Sequence, residues 1–365
     1  MPACDVIIVG GGPAGSTCAA TLVRAGMDVV VLDRALFPRD KPCAGWITPE
    51  VIARLGLNPD EYARHGVIES IELFRVSLLG ASPVEVEYPR PVSYAIRRCE
   101  FDTYLLKRAG ARVRSGTPVE SIERFGSRWI VNGEWEAPVL IGAGGHFCPV
   151  ARMLGARPAQ EAAVVAQEAE FEMSEAEAAR CPLPPGAVDL AFAPDLAGYG
   201  WCVRKDRWLN VGFGTLRQER LKPQLQQYLR VLRSTGILPD GREPKMCGHA
   251  YLLRAAAGRP LHAEGVLLAG DSAGLAHDAS GEGILPAVIS GRLAAETVLE
   301  AGLRPEKLDG PAYARALERE LGPRGGGWRG PSWIERIAAR LAFRSASFVR
   351  REIVEKRFLH QENAG

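Results

Sequence analysis

Hydrophobic positions in the first 33 residues form two short runs, separated by a glycine-rich turn and a helical stretch. Four consecutive apolar residues at 6–9 predict a buried strand, since β-branched side chains dominate the run. The glycines at 10–15 predict a tight turn, and the pattern from there to Gly26 predicts a helix. A second apolar run at 29–32 ends on Asp33. This order of elements predicts a parallel βαβ unit.

Further along the chain, the pattern changes between the two-residue period of strands and the longer period of helices. Residues 68–88 alternate apolar and polar positions and predict a meander of strands. Apolar runs at 139–141 and 265–269 predict two more buried strands, and both run into glycines. Other predicted strands lie at 111–131, 162–171, 189–192, 198–203, 208–214 and 251–254, and predicted helices at 48–57, 101–109, 150–152, 174–180, 217–235 and 284–301.

These elements predict an α/β fold with a Rossmann-like nucleotide-binding domain, an inserted antiparallel-sheet substrate domain and a C-terminal helical tail. The nucleotide-binding domain is expected to be discontinuous, because strands of the first type recur after long insertions. The predicted limits are 1–75 with 93–155 and 245–305 for the nucleotide-binding domain, 76–92 with 156–244 for the substrate domain, and 306–365 for the tail.

The tail mixes apolar and basic residues at helical spacing after a glycine-rich hinge at 325–328. Two functional interpretations are a peripheral membrane contact and a lid over an apolar substrate. The alternative is a helix docked on the body of the protein with a solvated basic face. A surface helix normally carries an apolar stripe, so this pattern favours the docked helix.

Composition excludes several classes of protein. The chain has 365 residues, 47% of them hydrophobic and 24% charged, which is typical of a globular protein. A net charge of +2 predicts no attraction to nucleic acid. None of the eight cysteines forms a C-x-x-C pair or has metal-ligand spacing with the six histidines, so no metal site is expected.

The same features predict a cytoplasmic protein with reduced thiols, with a peripheral membrane contact through the tail as the alternative. The chain begins at the first predicted strand, which leaves no room for a signal peptide. No run of about 18 apolar residues is present, so we expect no membrane-spanning helix.

The glycine-rich turn has the spacing of a dinucleotide-binding motif. Gly10 permits the tight turn, Gly12 lets a pyrophosphate approach the backbone, and Gly15 lets the helix pack closely on the strand. The pyrophosphate would lie at the positive end of the helix dipole. Asp33 follows about 20 residues on, where a carboxylate accepts both ribose hydroxyls. A glycine turn in an ordinary βαβ unit would not explain this acid. The motif alone admits either NAD or FAD.

Further motifs occur in an order that resembles the FAD-dependent oxidoreductases of the p-hydroxybenzoate hydroxylase fold. They are Arg98-x-x-Phe101-Asp102, the glycine strand at 142–145 and Gly270-Asp271. Within that group the chain is most similar to the geranylgeranyl reductase family. Three features support this likeness. The loop at 41–45 is similar to the family's Pro-Cys-Gly loop, and residues 199–204 with 210–214 are similar to its Tyr-x-Trp-x-Phe-Pro motif. Residues 281–284 with Ser290-Gly291 are similar to its flavin-side helix.

The chain departs from these patterns at two places. Gly144-Gly145 replaces the usual Asp-Gly, and Val203-Arg204 replaces Phe-Pro in the substrate motif. Flavin halogenases of the same fold carry a related Trp-x-Trp-x-Ile-Pro motif, of which only Trp201 is kept, so halogenation is disfavoured.

The resemblance implies one extended FAD site, with the amides at 281–283 facing the pyrimidine edge of the flavin. The residues that it assigns to the cofactor are Gly10, Gly12, Pro13, Ala14, Gly15, Asp33, Arg34, Cys43, Ala44, Gly45, Arg98, Gly144, Gly270, Asp271, Gly281, Gly283 and Ile284. For Arg98 the alternative is a surface arginine at a helix start. No second G-x-G-x-x-G follows a strand, so the reductant is expected to be NAD(P)H that binds transiently, or a reduced electron-carrier protein.

The resemblance also implies a substrate wall and candidate catalytic residues. Trp46, Tyr199, Trp201 and Phe213 are expected to line an apolar pocket, with Trp208 as a further candidate. The alternative is that these aromatic residues form the core of the sheet. Cys43, His277 and Asp278 are the catalytic candidates, as proton donors or gate residues. The alternatives are an inert buried thiol at Cys43 and a polar turn at 277–278.

Three functions remain open from the sequence. The first is an FAD-dependent reductase that transfers hydride to a C=C bond of an apolar, isoprenoid or quinone-like substrate. The second is a flavin monooxygenase that hydroxylates or epoxidises an apolar or aromatic substrate. The third is a non-catalytic FAD-binding or prenyl-carrier protein, against which the 281–283 loop argues because it suits the flavin edge.

Overall fold

The computed structural model describes residues 3–324, 338 and 341–361. The strands are β1 (Val6–Val9), β2 (Val29–Asp33), β3 (Trp46–Ile47), β4 (Ile68–Ile71), β5 (Leu73–Leu78), β6 (Val84–Glu87), β7 (Ser93–Ile96), β8 (Arg112–Ser115), β9 (Ile122–Phe125), β10 (Arg128–Val131), β11 (Trp135–Ala137), β12 (Val139–Gly142), β13 (Val164–Glu172), β14 (Ala187–Phe192), β15 (Gly198–Lys205), β16 (Trp208–Thr215), β17 (Cys247–Tyr251), β18 (His262–Ala263) and β19 (Val266–Leu268).

The helices are α1 (Pro13–Arg24), α2 (Pro49–Leu55), α3 (Pro59–Tyr62), α4 (Arg98–Arg108), α5 (Pro149–Met153), α6 (Glu175–Arg180), α7 (Leu221–Ser234), α8 (Ile284–Ala301), α9 (Gly310–Leu321) and α10 (Ala346–Phe348). The last of these continues as a π-helix, Val349–Phe358. No helix among the described residues is long and apolar enough to span a membrane.

A parallel sheet forms the centre of the nucleotide-binding part. Its strand order is β18-β19-β12-β1-β2-β8, and only β18 runs antiparallel to its neighbour. Every residue of β1, β2 and β12 is buried, because helices or other strands cover both faces of the sheet. Helix α1 connects β1 to the adjacent parallel β2, as the opening pattern predicted. The predicted α/β fold class is therefore confirmed.

The second large sheet has seven strands in the order β17-β13-β16-β15-β14-β5-β6. The three strands predicted to form an antiparallel sheet, β14, β15 and β16, pair antiparallel as expected. Strand β5 extends this sheet by pairing in parallel with β14. The strands of the sheet also extend past the predicted domain limits: β5 begins at Leu73, and β17 occupies 247–251 instead of the predicted 251–254. Two three-stranded sheets, β11-β10-β9 and β3-β7-β4, complete the pattern.

The two faces of the seven-stranded sheet bury different neighbours. Cys202, Val211 and Phe213 pack towards helix α7. Tyr199, Trp201 and Val203 point to the opposite face, because side chains alternate along a strand. Phe213 therefore lies on the α7 face, away from Tyr199 and Trp201, with which it was predicted to form one substrate wall. In the register, Trp201 lies opposite Gly212, which places position 213 on the α7 side.

Residues 341–361, here called the C-terminal segment, cover the face that carries Trp201. Val349, Ile353, Val354 and Phe358 are buried against this face. Arg351 and Lys356 are exposed, so the segment has the apolar stripe and solvated basic side of a docked helix. The predicted hinge at 325–328 and the apolar positions 333, 334 and 337 lie outside the described residues.

Candidate active site

Two helix starts and one strand end converge at the carboxyl edge of the parallel sheet. Small residues make this close approach possible: Ala14, Ala269 and Ala287 form a buried cluster. Helices α1 and α8 cross where Gly291 contacts the backbone of Ala14. Gly270 has a φ of +62°, which glycine adopts without strain, and it packs beside the same cluster. The N-termini of both helices thus face one site.

The glycine-rich turn is bare on its outer side. A Cβ on Gly12 would meet only the mobile end of the Arg39 side chain, at 3.2 Å. Gly10 has a φ of +110° and lies against the backbone of residues 143 and 144, so Gly144 borders the turn. No described side chain caps the first turn of α1, where Pro13 occupies the first helical position. Its free amides therefore point to where a diphosphate would bind.

Asp33 stabilises the glycine-rich turn by accepting hydrogen bonds from backbone amides. The Gly11 amide donates to Asp33 Oδ2 at 2.8 Å, and the Ala35 amide donates to Oδ1 at 2.9 Å. The residue is 8% exposed, so part of the carboxylate still reaches the surface of the site. Contact with a ribose stays a prediction, and the structure adds a second role in holding Gly11 in place. Arg34 follows at the exposed start of the next loop.

Arg98 lies buried beside the cofactor loop and forms a bidentate pair with Asp102, both bonds at 2.8 Å. Burial disfavours the charged form of both side chains, but the opposite charge and the hydrogen bonds of the partner together have the larger effect. The pKa of Asp102 therefore falls and the pKa of Arg98 rises. Arg39 adds a third charge, with its guanidinium 3.0 Å from Asp102. Arg39 was not among the predicted site residues, although the basic residues at 39 and 41 in this loop were a usable signal.

Asp271 is held as an anion by two neighbours. Lys41 Nζ lies 3.2 Å from Asp271 Oδ2, and His249 Nε2 lies 3.6 Å away. Burial alone would raise the pKa of Asp271, but Lys41 and His249 hold it well below its usual range. A Cβ on Gly283 would lie 3.1 Å from Asp271 Oδ1, so the start of α8 approaches the same carboxylate. Nothing in the sequence around His249 indicated this contact.

The start of α8 also has no side-chain cap among the described residues. Gly281 has a φ of +72°, and a side chain there would collide with Tyr251. Gly283 is the N-cap residue, and Ile284 begins the helix. These amides form the second positive helix end of the site, as predicted for 281–284.

The loop at 41–46 lies between the two sheets. Cys43 is half-buried; the Gly45 amide donates to its Sγ at 3.4 Å, and its carbonyl accepts from Asn210 Nδ2 at 3.1 Å. Gly45 has a φ of +64°, which favours glycine, and a side chain at this position would also strike the backbone of Ile96. Ala44 packs with the aromatic cluster on the second sheet.

That aromatic cluster contains three of the four predicted wall residues. Trp46 stacks on Phe358 of the C-terminal segment, with ring centroids 5.1 Å apart and planes 16° apart. Tyr199 meets the same phenyl ring edge-on at 5.4 Å. The Trp201 indole lies across strand β16, where Gly212 and Gly214 leave room for it, and its Nε1 donates to Asn210 at 2.8 Å. The remaining members of the cluster include Phe74, Phe192 and Tyr88.

Two candidate catalytic residues, His277 and Asp278, lie in a turn after β19, where they form hydrogen bonds with nearby residues. Asp278 accepts hydrogen bonds from the Ala255 amide at 2.6 Å and from Arg254 at 3.1 Å. His277 interacts with Ser280 Oγ at 3.1 Å. Burial, followed by the charges of His360 and nearby arginines, lowers the pKa of His277 to about 3. Its ring is therefore neutral at pH 7, which favours the polar-turn alternative.

The geometry fits FAD. The bare glycine cradle at 10–15, the uncapped start of α8 and the anionic Asp271 occupy one continuous edge of the parallel sheet. A dinucleotide with a diphosphate centre needs donors at that cradle, and an electron-accepting ring needs a positive helix end. No group of three or more His, Cys, Asp or Glu that could hold a metal ion occurs among the described residues.

Comparison with known proteins agrees with this geometry. The FAD binding domain family matches residues 3–288. The menaquinone reductase of Mycobacterium tuberculosis is 33% identical over 368 residues, which cover 93% of this chain and 84% of that protein. The geranylgeranyl diphosphate reductase of Rhodobacter capsulatus is 31% identical over 315 residues, or 81% of this chain and 75% of that one.

Among solved structures, a geranylgeranyl bacteriochlorophyll reductase-like protein from Thermoplasma acidophilum superposes with a TM-score of 0.75 at 20% identity. The superposition covers 94% of this chain and 88% of that one. At this identity the match shows a common fold. The predictions of an FAD cofactor and of a geranylgeranyl reductase-like oxidoreductase are confirmed.

Proposed function

Because the chain belongs to the FAD binding domain family of oxidoreductases, we propose that it reduces a C=C bond in an isoprenoid compound or in an isoprenoid-bearing quinone. The observation that carries the proposal is the aromatic face of the seven-stranded sheet. This face meets the 41–46 loop, and Tyr199 on it donates a hydrogen bond to the carbonyl of Ser280, shortly before α8. The names of the two relatives, a menaquinone reductase and a geranylgeranyl diphosphate reductase, support the same substrate class.

When bound and reduced, FAD supplies the hydride. The residues of this chain bind and orient. Amides at the start of α1 would hold the diphosphate, and Asp271, kept ionised by Lys41, would accept hydrogen bonds from hydroxyls of the cofactor. The start of α8 stabilises negative charge at the ring, which favours two-electron chemistry. The aromatic face excludes water and positions an apolar chain.

One polar atom on this face indicates that the substrate contains a carbonyl group. Trp46 Nε1 is buried and has no hydrogen-bond partner among the described residues. A buried donor without an acceptor costs free energy, so a ligand that supplies one is favoured. A quinone oxygen supplies it, whereas a pure hydrocarbon does not. This supports the isoprenoid quinone over an unsubstituted polyprenyl chain.

The docked C-terminal segment covers the aromatic face on which the substrate would bind. Phe358 lies on Trp46 and Tyr199, so an apolar substrate reaches the face only beside or in place of that ring. The exposed Arg351 and Lys356 are on the outer side, where they would meet an anionic bilayer that supplies the substrate. The electron donor would be NAD(P)H that binds transiently, or a reduced carrier protein.

The test uses the holoenzyme, reduced anaerobically and mixed with menaquinone or with geranylgeranyl diphosphate. We expect the flavin to be reoxidised. After a mild oxidant has returned any quinol to the quinone, the product should still be heavier by two hydrogens in mass spectrometry, which identifies reduction of a C=C bond. A product that gains an oxygen atom when O₂ is admitted would show a monooxygenase instead. Absence of any product with either substrate would support a non-catalytic FAD protein.

Trp46→Phe separates the two substrate types. This variant keeps the aromatic stack but removes the N–H donor. KM for menaquinone should therefore rise about tenfold, which corresponds to about 1.4 kcal/mol of binding free energy, and KM for geranylgeranyl diphosphate should stay unchanged. Equal effects on both substrates would contradict the assignment of Trp46 to a carbonyl.

A further inference from the structure

A buried polar cluster lies under the 41–46 loop, on the same sheet face as the aromatic wall. It consists of Glu168 and Glu170 from β13, Lys205 from the end of β15, and Asn210 from β16. Glu168 is 4% exposed, Asn210 1% and Lys205 0%. Such burial is rare for charged side chains unless they are paired, so the state of each carboxyl group needs an explanation.

The two glutamates differ in their partners. Glu170 accepts from Lys205 Nζ at 2.6 Å and from Arg97 Nε at 3.1 Å. These two cations outweigh burial and lower the pKa of Glu170. Among the described residues, Glu168 has one hydrogen-bond partner, Asn210 Nδ2 at 2.5 Å, and no ion pair. Neighbouring carboxyl groups with such different environments take different protonation states.

Burial is the main reason why the pKa of Glu168 rises to about 8. Lys205 and the Asn210 hydrogen bond lower it, while the negative charges of Glu170 and Asp40 raise it further. Glu168 therefore carries a proton at neutral pH, and Glu170 carries none.

Asn210 has a fixed orientation, which makes the arrangement directional. Trp201 Nε1 donates to Asn210 Oδ1 at 2.8 Å, so the amide nitrogen must point the other way. That nitrogen donates to Glu168 Oε2 and to the carbonyl of Cys43 at 3.1 Å. One side chain thus joins the substrate wall, the cofactor loop and Glu168.

We propose that Glu168 holds the proton used in the reduction, and that Asn210 is the positioning residue that fixes it between Trp201 and the Cys43 loop. This inference rests on the proposed function. Reduction of a C=C bond adds a hydride to one carbon and a proton to the other. The O–H bond of Glu168 breaks, a C–H bond forms, and the electron pair stays on the carboxylate, which takes a new proton from water. The hydride, and with it the two electrons, would come from the bound reduced FAD.

The other acid candidates of this site are less suitable. Asp278 already accepts hydrogen bonds from the Ala255 amide and from Arg254. His277 is neutral at pH 7, so it has no extra proton to give. Glu170 is an ion-paired carboxylate.

The first experiment measures the proton directly and needs no substrate. Infrared difference spectra of the holoenzyme are recorded as the pH is raised from 6 to 9.5. We expect the carbonyl stretch of a protonated carboxyl group to disappear near pH 8. The band should be absent in Glu168→Gln and retained in Glu172→Gln, a matched glutamate of the same strand that is exposed and paired with Arg207. No such band in the wild-type protein would overturn the proposal.

The second experiment follows the rate at which the reduced holoenzyme forms menaquinone with one C=C bond reduced, under anaerobic conditions. Glu168→Gln should slow it by about 10²–10⁴-fold and abolish the decline of rate above pH 8, with flavin content unchanged. Asn210→Ala keeps the acid but loses the hydrogen bond that lowers its pKa, so the midpoint of the pH profile should move upwards.

The outcomes separate the two proposals. A wild-type enzyme that shows the infrared band but reduces neither substrate would overturn the proposed function. Turnover by Glu168→Gln at the wild-type rate, with an unchanged pH profile, would overturn the role of Glu168 alone.

Discussion

Replacement of Gly291 by alanine tests whether the contact between α1 and α8 shapes the cofactor site. The atom nearest to a Cβ on Gly291 would be the carbonyl oxygen of Ala14; its carbonyl carbon would lie at 3.0 Å and its Cα at 3.2 Å. Favourable contact between carbon atoms needs about 3.5–4.0 Å, and the oxygen is closer still, so the helices must separate by about 1 Å. All three neighbours are backbone atoms, which cannot rotate out of the way.

The expected sign is opposite to helix propensity. In an unobstructed helix interior, glycine to alanine stabilises by about 1 kcal/mol. Overpacking costs about 1–3 kcal/mol, and the obstruction by backbone atoms places Gly291→Ala in the upper part of that range, at about 2–3 kcal/mol. The net change should therefore be a destabilisation of about 1–2 kcal/mol. Separation of the helices also moves the amides of the glycine turn away from those at Gly283. We therefore expect FAD to bind about tenfold more weakly, or about 1.4 kcal/mol.

Urea unfolding of the apoprotein and calorimetric titration with FAD measure the two effects separately. Gly258→Ala is the control, because no atom of the described residues lies within 4 Å of a Cβ at that exposed position. If Gly291→Ala is as stable as the wild type and binds FAD equally well, then this crossing does not determine the geometry of the site.

Three further predictions concern other parts of the chain. Phe213→Ala should cost about 3–5 kcal/mol in urea unfolding, because the ring is buried against α7, yet leave KM for the substrate unchanged; a raised KM would return Phe213 to the wall. Asp271→Asn removes the ionic contact with Lys41 and should release FAD on gel filtration, whereas the exposed Asp60→Asn should retain it. The pKa of Glu168 is raised from 4.5 to about 8, so its stabilising effect is full below pH 4.5 and disappears as the pH approaches 8. Between pH 6 and 8 the wild type should therefore lose about 2–3 kcal/mol of unfolding free energy relative to Glu168→Gln, and parallel stability curves would contradict the buried proton.

The βαβ unit was predictable because its requirements are local. The spacing of Gly10, Gly12 and Gly15 is set by one turn and one helix, so a single window of sequence contains all the information. The same holds for the start of α8, where glycines precede a long apolar helix.

The face of Phe213 was not predicted correctly, because it depends on pairing between two strands. One signal was present: Gly212 and Gly214 alternate with Phe213, and only small residues leave room for a neighbouring indole. Glu168 and His249 gave no such signal. Their roles come from burial and from partners far away in the chain, neither of which a short sequence pattern contains.

The parallel pairing of β5 with β14 has a consequence for biosynthesis. Strand β5 begins at Leu73, but its partner begins at Ala187. At the usual speed of translation, the intervening chain takes on the order of 10 s to appear. During that time the β5–β6 hairpin has an unpaired edge that can join another chain. Newly made protein should therefore be most prone to aggregation before residue 192 has left the ribosome, and ribosome-associated chaperones should matter most in that interval.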